Sequence, residues 1–287
     1  LKRAQWITVS VTLLLAIALY AGTRNQIFGE PRKFNVAAAK PAAVSSVAID
    51  SFLNHVREHL TPDQVTRLNY LEANAGKEKS PESRLHYFHQ LARYWRDSVR
   101  LAEAGEAYIP YAWYTAEASR LENSEKSLTF AARLFLSNLE SGGAPELLQW
   151  QALQAKDLYE RSLKINPDND SSKIELGTLY VYGNIAMPMQ GIKMITEVAD
   201  KNPENVYAQV TLGDASMTSG QYDKAIDRFR KVVAVEPRNI KANLRLAEAY
   251  ERKKDNKQAI EWYRKALPLV EPQYRKDIEQ RIEQLNK

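Results

Sequence analysis

One interval governs what this chain can become. Pro167-Asp168-Asn169, Pro203-Glu204-Asn205 and Pro237-Arg238-Asn239 repeat a Pro-x-Asn signal at spacings of 36 and 34 residues, and the same two spacings return in Leu176-Gly177, Leu212-Gly213 and Leu246-Ala247. A recurrence on the order of 20–50 residues marks an architecture in which each unit buries its apolar face on the next. Each part of the signal has a physical job. Proline cannot continue a helix, and the Asn side chain accepts an unpaired amide of the helix that follows. The small residue lets two antiparallel helices approach closely. Its counterparts on the second helix of each pair are Gly191, Ala225 and Ala259, while Tyr180, Tyr250, Phe229 and Tyr263 fill the space between hairpins. Only 12 Pro and 11 Gly occur in 287 residues, a scarcity of breakers that agrees with helices throughout.

From Tyr207 to Pro237 the chain carries Leu212-Gly213, Gly220, Tyr222, Ala225, Phe229 and Pro237, and the next stretch carries Leu246-Ala247, Tyr250, Ala259, Tyr263 and Ala266. This pattern resembles the tetratricopeptide repeat (TPR) family over residues 170–271. Three departures stand out: the last expected proline is displaced to Pro272, Pro268 is extra, and Tyr182–Pro188 holds a two-residue insertion. Upstream, Leu91-Ala92 with Trp95 and Ala131-Ala132 with Phe135 look like first helices of degenerate repeats, with an insertion at Ser141–Pro145. Downstream, Tyr274, Ile278, Ile282 and Leu285 are spaced 4, 4 and 3, as on a one-sided helix that caps a stack. The expectation is an all-α, TPR-like α-solenoid of helical hairpins. Its irregular region covers 48–166, its regular repeats 167–271 and its capping helix 272–287.

Ahead of the repeats, residues 4–23 form an uncharged 20-residue stretch flanked by Lys2, Arg3 and Arg24. A helix of that length covers roughly 30 Å, a bilayer core. This predicts an N-terminal transmembrane helix within residues 1–23, kept as an anchor because small residues are poorly placed for cleavage. A flexible juxtamembrane linker over 24–47 follows, rich in Ala, Ser and Pro. The expected location is single-pass in a membrane, with the bulk on the periplasmic side of a bacterial-type anchor and the cytoplasmic face as the alternative. Removing the excess charge of residues 1–40 leaves 34 basic and 34 acidic side chains in 41–287. That balance gives no basic excess for phosphate, so nucleic acid is not an expected partner.

Chemistry is sparse. Without a cysteine there is no thiolate zinc site, no disulfide and no Cys nucleophile. His55-Val56-Arg57-Glu58-His59 matches H-x-x-E-H, in which two histidines one turn apart bind zinc and the Glu activates water. The motif offers a zinc-dependent hydrolase as the alternative function, against a solvated helix that packs on Phe52, Val56 and Leu60. His86 and His89 read as aromatic packing in Leu85–Leu91, and Tyr108, Tyr111, Trp113 and Tyr114 read as core rather than as a ligand pocket. No catalytic residue, metal site or cofactor is assigned.

What the TPR resemblance implies is a groove built from first helices that holds a protein or peptide segment. Carried over by phase, its positions are Ile174, Thr178 and Val181 on one helix, Tyr207, Val210, Thr211, Asp214 and Met217 on the next, and Lys241, Leu244, Arg245 and Glu248 on the third. Lys241 and Arg245 match the last pair of a carboxylate-gripping subclass, while Ile174, Thr178 and Thr211 leave that clamp incomplete. The pair reads equally well as a solvated i, i+4 arrangement. The expected function is a membrane-tethered, noncatalytic scaffold or adaptor, with a structural subunit of a permanent membrane complex as a further alternative.

Overall fold

A computed structural model describes residues 47–98, 108–139, 144–183 and 185–287. Thirteen α-helices and no strand occur among them: α1 (Val47–Glu58), α2 (Pro62–Lys77), α3 (Pro81–Arg93), α4 (Tyr108–Glu122), α5 (Glu125–Asn138), α6 (Pro145–Ile165), α7 (Asp170–Tyr182), α8 (Pro188–Lys201), α9 (Val206–Thr218), α10 (Tyr222–Val235), α11 (Ile240–Arg252), α12 (Asn256–Ala266) and α13 (Pro272–Leu285). A π-helical turn, Tyr94–Ser98, follows α3, and a 3₁₀ turn, Leu267–Leu269, follows α12. The fold is all-α and TPR-like, as the repeat period predicts. Internal contacts divide the chain between Asn202 and Pro203, inside the span expected to be one regular domain. The described helices of the first unit are α1–α8, and those of the second are α9–α13.

The caps foreseen from Pro-x-Asn are made. Asn169 accepts from the Ser172 amide at 2.8 Å, Asn205 from Ala208 at 3.0 Å and Asn239 from Ala242 at 2.9 Å, so each starts its helix by satisfying an otherwise orphaned donor. Ser80 and Ser124 do the same for α3 and α5. The proline ahead of each Asn ends the preceding helix. The helices then pair in sequence as hairpins, α3 with α4, α5 with α6 and α7 with α8 in the first unit, α9 with α10 and α11 with α12 in the second. The degenerate repeats thus take α3 and α5 as first helices, and Leu91, Trp95, Ala131, Ala132 and Phe135 are all buried.

In the first unit one core cluster gathers Ile49, Leu53, Ala131, Phe135, Trp150, Leu158 and Leu179. Phe135 meets Trp150 edge-on with ring centroids 5.6 Å apart, and Trp113 lies 5.5 Å from Trp150. A second cluster places Trp95 with Leu68, Leu71 and Leu91. Buried hydroxyls are satisfied across three helices, Thr129 of α5 bonding Ser162 of α6 at 2.9 Å and Ser172 of α7 at 3.3 Å. In the second unit Phe229, Leu246, Tyr250, Tyr263, Ile278 and Ile282 share one core. Helix α13 buries Ile278 and Ile282 as its spacing predicts, and Arg281 pairs with Glu251, which also accepts from the Tyr263 hydroxyl at 3.0 Å.

The single-pass membrane location is corrected. Among the described residues no helix is long and apolar enough to cross a membrane. Even α6, with 21 residues, carries Glu146, Lys156, Asp157, Glu160, Arg161 and Lys164, and such a charge load is incompatible with a hydrocarbon core. The transmembrane segment expected at 4–23 lies outside the described residues. So does the linker expected at 24–47, apart from Val47, where α1 opens.

The small residues do what the pattern requires. A Cβ on Gly191 would stand 2.2 Å from the Gly177 backbone oxygen, and one on Gly213 would stand 2.6 Å from the Phe229 ring. Gly76, near the end of α2, has nothing within 4 Å of the same added atom. Gly191→Ala is therefore expected to destabilise by about 1–3 kcal/mol through overpacking against backbone that cannot yield. Gly76→Ala is expected to stabilise by up to about 1 kcal/mol, because it reduces the conformational freedom of the unfolded chain. Denaturant melts of the two variants, opposite in sign, check the assignment.

Candidate functional site

Counting from the cap gives a common frame for the first helices. The ninth residue after the cap is His89 on α3, Arg133 on α5, Thr178 on α7, Asp214 on α9 and Glu248 on α11. The second residue after the cap is Lys126 on α5, Ser171 on α7, Tyr207 on α9 and Lys241 on α11. In the first unit His89, Arg133, Lys126 and Ser171 of this frame, though not Thr178, line one groove of about 970 Å³ formed by α3, α4, α5 and α7, together with Arg93, Arg96, Tyr111 and Phe130. Phe130 is 49 % exposed there, a large apolar ring turned to solvent.

The groove's electrostatics come from named pairs. Arg96 holds Asp97 with two hydrogen bonds, Nε to Oδ1 at 2.7 Å and a guanidinium nitrogen to Oδ2 at 2.8 Å. Those bonds, with the charge of Arg93 nearby, keep Asp97 below the ordinary carboxylate range. Behind the lining, Arg133 Nε donates to Glu175 Oε1 at 2.8 Å. Burial pushes the Glu175 carboxyl up, while Arg133 and Tyr159 work against that rise. Glu125 is occupied by neutral donors, the side-chain amides of Asn166 and Asn169.

In the second unit the expected positions on α9 and α11 come together as a charge network. Lys241 Nζ lies 2.8 Å from Asp214 Oδ2, Arg245 Nε lies 3.1 Å from Asp214 Oδ1, and a second Arg245 nitrogen donates to Glu248 Oε2 at 2.6 Å. Burial opposes the Arg245 charge, yet Asp214 and Glu248 together hold its affinity for the proton above the ordinary value. Both cations of the expected pair thus share Asp214 within the chain.

The remaining expected positions divide by burial. Ile174, Val210, Thr211 and Met217 are buried, at 1 %, 9 %, 8 % and 3 % exposure, and pack rather than present a surface. Thr178, Val181 and Leu244 are half-buried, and Tyr207 and Lys241 are exposed. The hydroxyls of Thr178 and Thr211 bond the carbonyls of Ile174 and Tyr207 on their own helices, both at 2.8 Å. Sequence reasoning missed the groove of the first unit, although the offsets that located Thr178 and Asp214 reach His89 and Arg133 when counted from Ser80 and Ser124.

His55 and His59 are exposed at the end of α1, which stops at Glu58, so the second histidine of the H-x-x-E-H match sits in the following turn. Among the described residues no group of three or more His, Cys, Asp or Glu side chains is placed to hold a metal ion. His86 and His89 are both exposed; His86 meets the Tyr87 ring edge-on with centroids 5.8 Å apart, as aromatic packing requires, and shares a 2.6 Å hydrogen bond with Gln90, one turn away. Of the aromatic cluster, Tyr114 is core and donates to Glu72, whereas Tyr111 lines the groove.

Two measurements test this description. Lys241, 56 % exposed, is expected to contribute at most about 1 kcal/mol, as surface pairs do. Asp214→Ala should lower the melting temperature more than Lys241→Ala, because it strips the counter-charge from the less exposed Arg245. A double-mutant cycle on Asp214 and Arg245 should return coupling of about 0.5–3 kcal/mol, and zero coupling would contradict the network. For Glu175, the native state binds its proton more tightly than the unfolded chain, so its contribution to stability falls as pH rises from the unperturbed value of 4.5 through the raised native one. The stability of Glu175→Gln relative to wild type should therefore be flat below that window and increase across it, read from melts in a pH series.

Comparison with known proteins agrees with the helical repeats over part of the chain. The tetratricopeptide repeat family model matches residues 210–274. No curated protein matches the chain. Among solved structures it is similar to a MamA protein, at 19 % identity and a TM-score of 0.43, over 64 % of this chain and 91 % of that one. It is also similar to MamA from residue 41 to the end from Desulfovibrio magneticus RS-1, at 21 % identity and a TM-score of 0.47, over 64 % and 94 %. A third similar structure is YrrB, described as a TPR protein with an unusual peptide-binding site, at 16 % identity and a TM-score of 0.43, over 69 % and 90 %. Within residues 210–274, where that family model matches, the chain carries the cap, small-residue and aromatic positions read from its spacing.

Proposed function

We propose that this chain is a noncatalytic interaction scaffold that holds a protein or peptide segment along its first helices. The observation that carries the reading is the groove of the first unit, where first helices α3, α5 and α7 line one open space, His89 and Arg133 sharing the ninth position after their caps and Lys126 and Ser171 the second. A surface generated by a repeat is extended and regular, which suits a segment of polypeptide better than a compact small molecule. In the second unit, exposed Tyr207 and Lys241 and half-buried Asp214, Leu244, Arg245 and Glu248 occupy the corresponding face. Thr178 and Val181 extend the same phase on α7. Buried Ile174, Val210, Thr211 and Met217 support these helices from beneath.

Site-specific photocrosslinking tests the scaffold reading. A photoreactive phenylalanine analogue at Phe130, Tyr207 or Lys241 should capture a discrete polypeptide from the native source, while the same group at exposed Lys224 or Glu261 on second helices should not. Equal capture from every position, or none from the first helices, would overturn the proposal. Stoichiometric zinc with peptide hydrolysis lost on His55→Ala would also overturn it.

A further inference from the structure

We infer that the groove of the first unit receives an acidic peptide segment bearing an apolar or aromatic side chain. The inference rests on the scaffold reading above and deepens it. Arg93, Arg96, Lys126 and Arg133 line the groove against Glu122 and Glu125, an excess of two positive charges on its walls. The carboxylates there are engaged by neutral donors, Glu122 by the Ser124 hydroxyl at 2.9 Å and Glu125 by Asn166 and Asn169, so they do not cancel the cations by pairing with them. Arg96 and Arg133 each have a carboxylate partner in the chain, whereas among the described residues Arg93 and Lys126 stand in no ion pair. Helices α5 and α7 both begin at this groove, with Lys126, Ser127, Asn169 and Ser171 on its wall, and their amide ends add positive potential.

Phe130 sets the second requirement. It lies one turn beyond Lys126 on α5, on the same face, and its exposed ring offers an apolar contact between cationic neighbours. A carboxylate on the incoming segment gains charge-assisted hydrogen bonds from Arg93 and Lys126, and an apolar side chain covers Phe130. A polyphosphate chain fits less well. The region 41–287 has equal numbers of basic and acidic side chains, so no long-range positive field gathers nucleic acid to it, and the groove's excess is local.

The experiment pans the immobilised full chain against random peptides of about twelve residues, long enough when extended to cover ~40 Å. Recovered peptides should be enriched in Asp and Glu with at least one apolar side chain. Their affinity should fall about tenfold or more with Arg93→Glu plus Lys126→Glu, and by a smaller factor with Phe130→Ala. Lys126→Arg should retain it. Lys224→Glu, on a second helix, should leave it unchanged, and thermal melts confirm that each variant is folded. Peptides without acidic enrichment, or binding unmoved by the Arg93 and Lys126 reversals, would overturn the inference while leaving the scaffold reading intact. Tighter binding of an oligothymidylate than of any recovered peptide would likewise overturn it. Recovery of no peptide at all would overturn both.

Discussion

Between α7 and α8 the backbones of Gly177 and Gly191 face each other so closely that an added Cβ on either would meet the other's carbonyl oxygen. That approach brings the two helices of a hairpin near enough for their side chains to interlock with the next hairpin rather than with each other. The second unit reaches a similar end with Gly213, whose missing side chain is replaced by the Phe229 ring. Large residues also fill the interfaces between hairpins, where Tyr250 is buried and meets Arg230 of the preceding hairpin. Packing density then does the rest, because interiors at this density tolerate little change of volume.

The same constraint separates the two faces of every first helix. One face is spent on the partner helix and the neighbouring hairpin, and what remains is a narrow row of positions repeating at fixed offsets from the cap. In the first unit that row is cationic and aromatic, with Arg93, Lys126 and Phe130 uncovered. In the second it is closed on itself, since Asp214 draws Lys241 and Arg245 together and Glu248 accepts a hydrogen bond from Arg245. One repeat register therefore produces two surfaces of different character: Lys241 meets Asp214 of the adjacent first helix, whereas Lys126 at the same offset stands in no ion pair among the described residues.

Much of this was legible from the residues. Where Pro-x-Asn announces a cap, at Asn169, Asn205 and Asn239, the helix start, its phase and its buried small residue follow directly. The upstream hairpins were read from Leu91-Ala92 and Ala131-Ala132, but their surfaces were not, because Ser80 and Ser124 cap without that announcement and insertions break the spacing. The mutual pairing of Asp214, Lys241 and Arg245 was hidden because it joins helices in adjacent repeats. Burial of Ile174, Val210 and Met217 shows that family phase alone does not separate a groove wall from the layer beneath it.

The packing of α1 has a consequence for how the chain is made. Most helix pairings join neighbours in sequence, but α1 also rests on α6, with Ile49 and Leu53 in the same core as Trp150. Between Glu58 and Pro145 lie 86 residues, which a ribosome takes roughly 4–17 s to add. During that interval the apolar stripe of α1 has no partner from α6, while α3 and α4 already have everything they need to pair. The nascent chain thus carries an exposed greasy helix ahead of a folding hairpin, the kind of surface that chaperones hold, and the completion of α6 is what withdraws it.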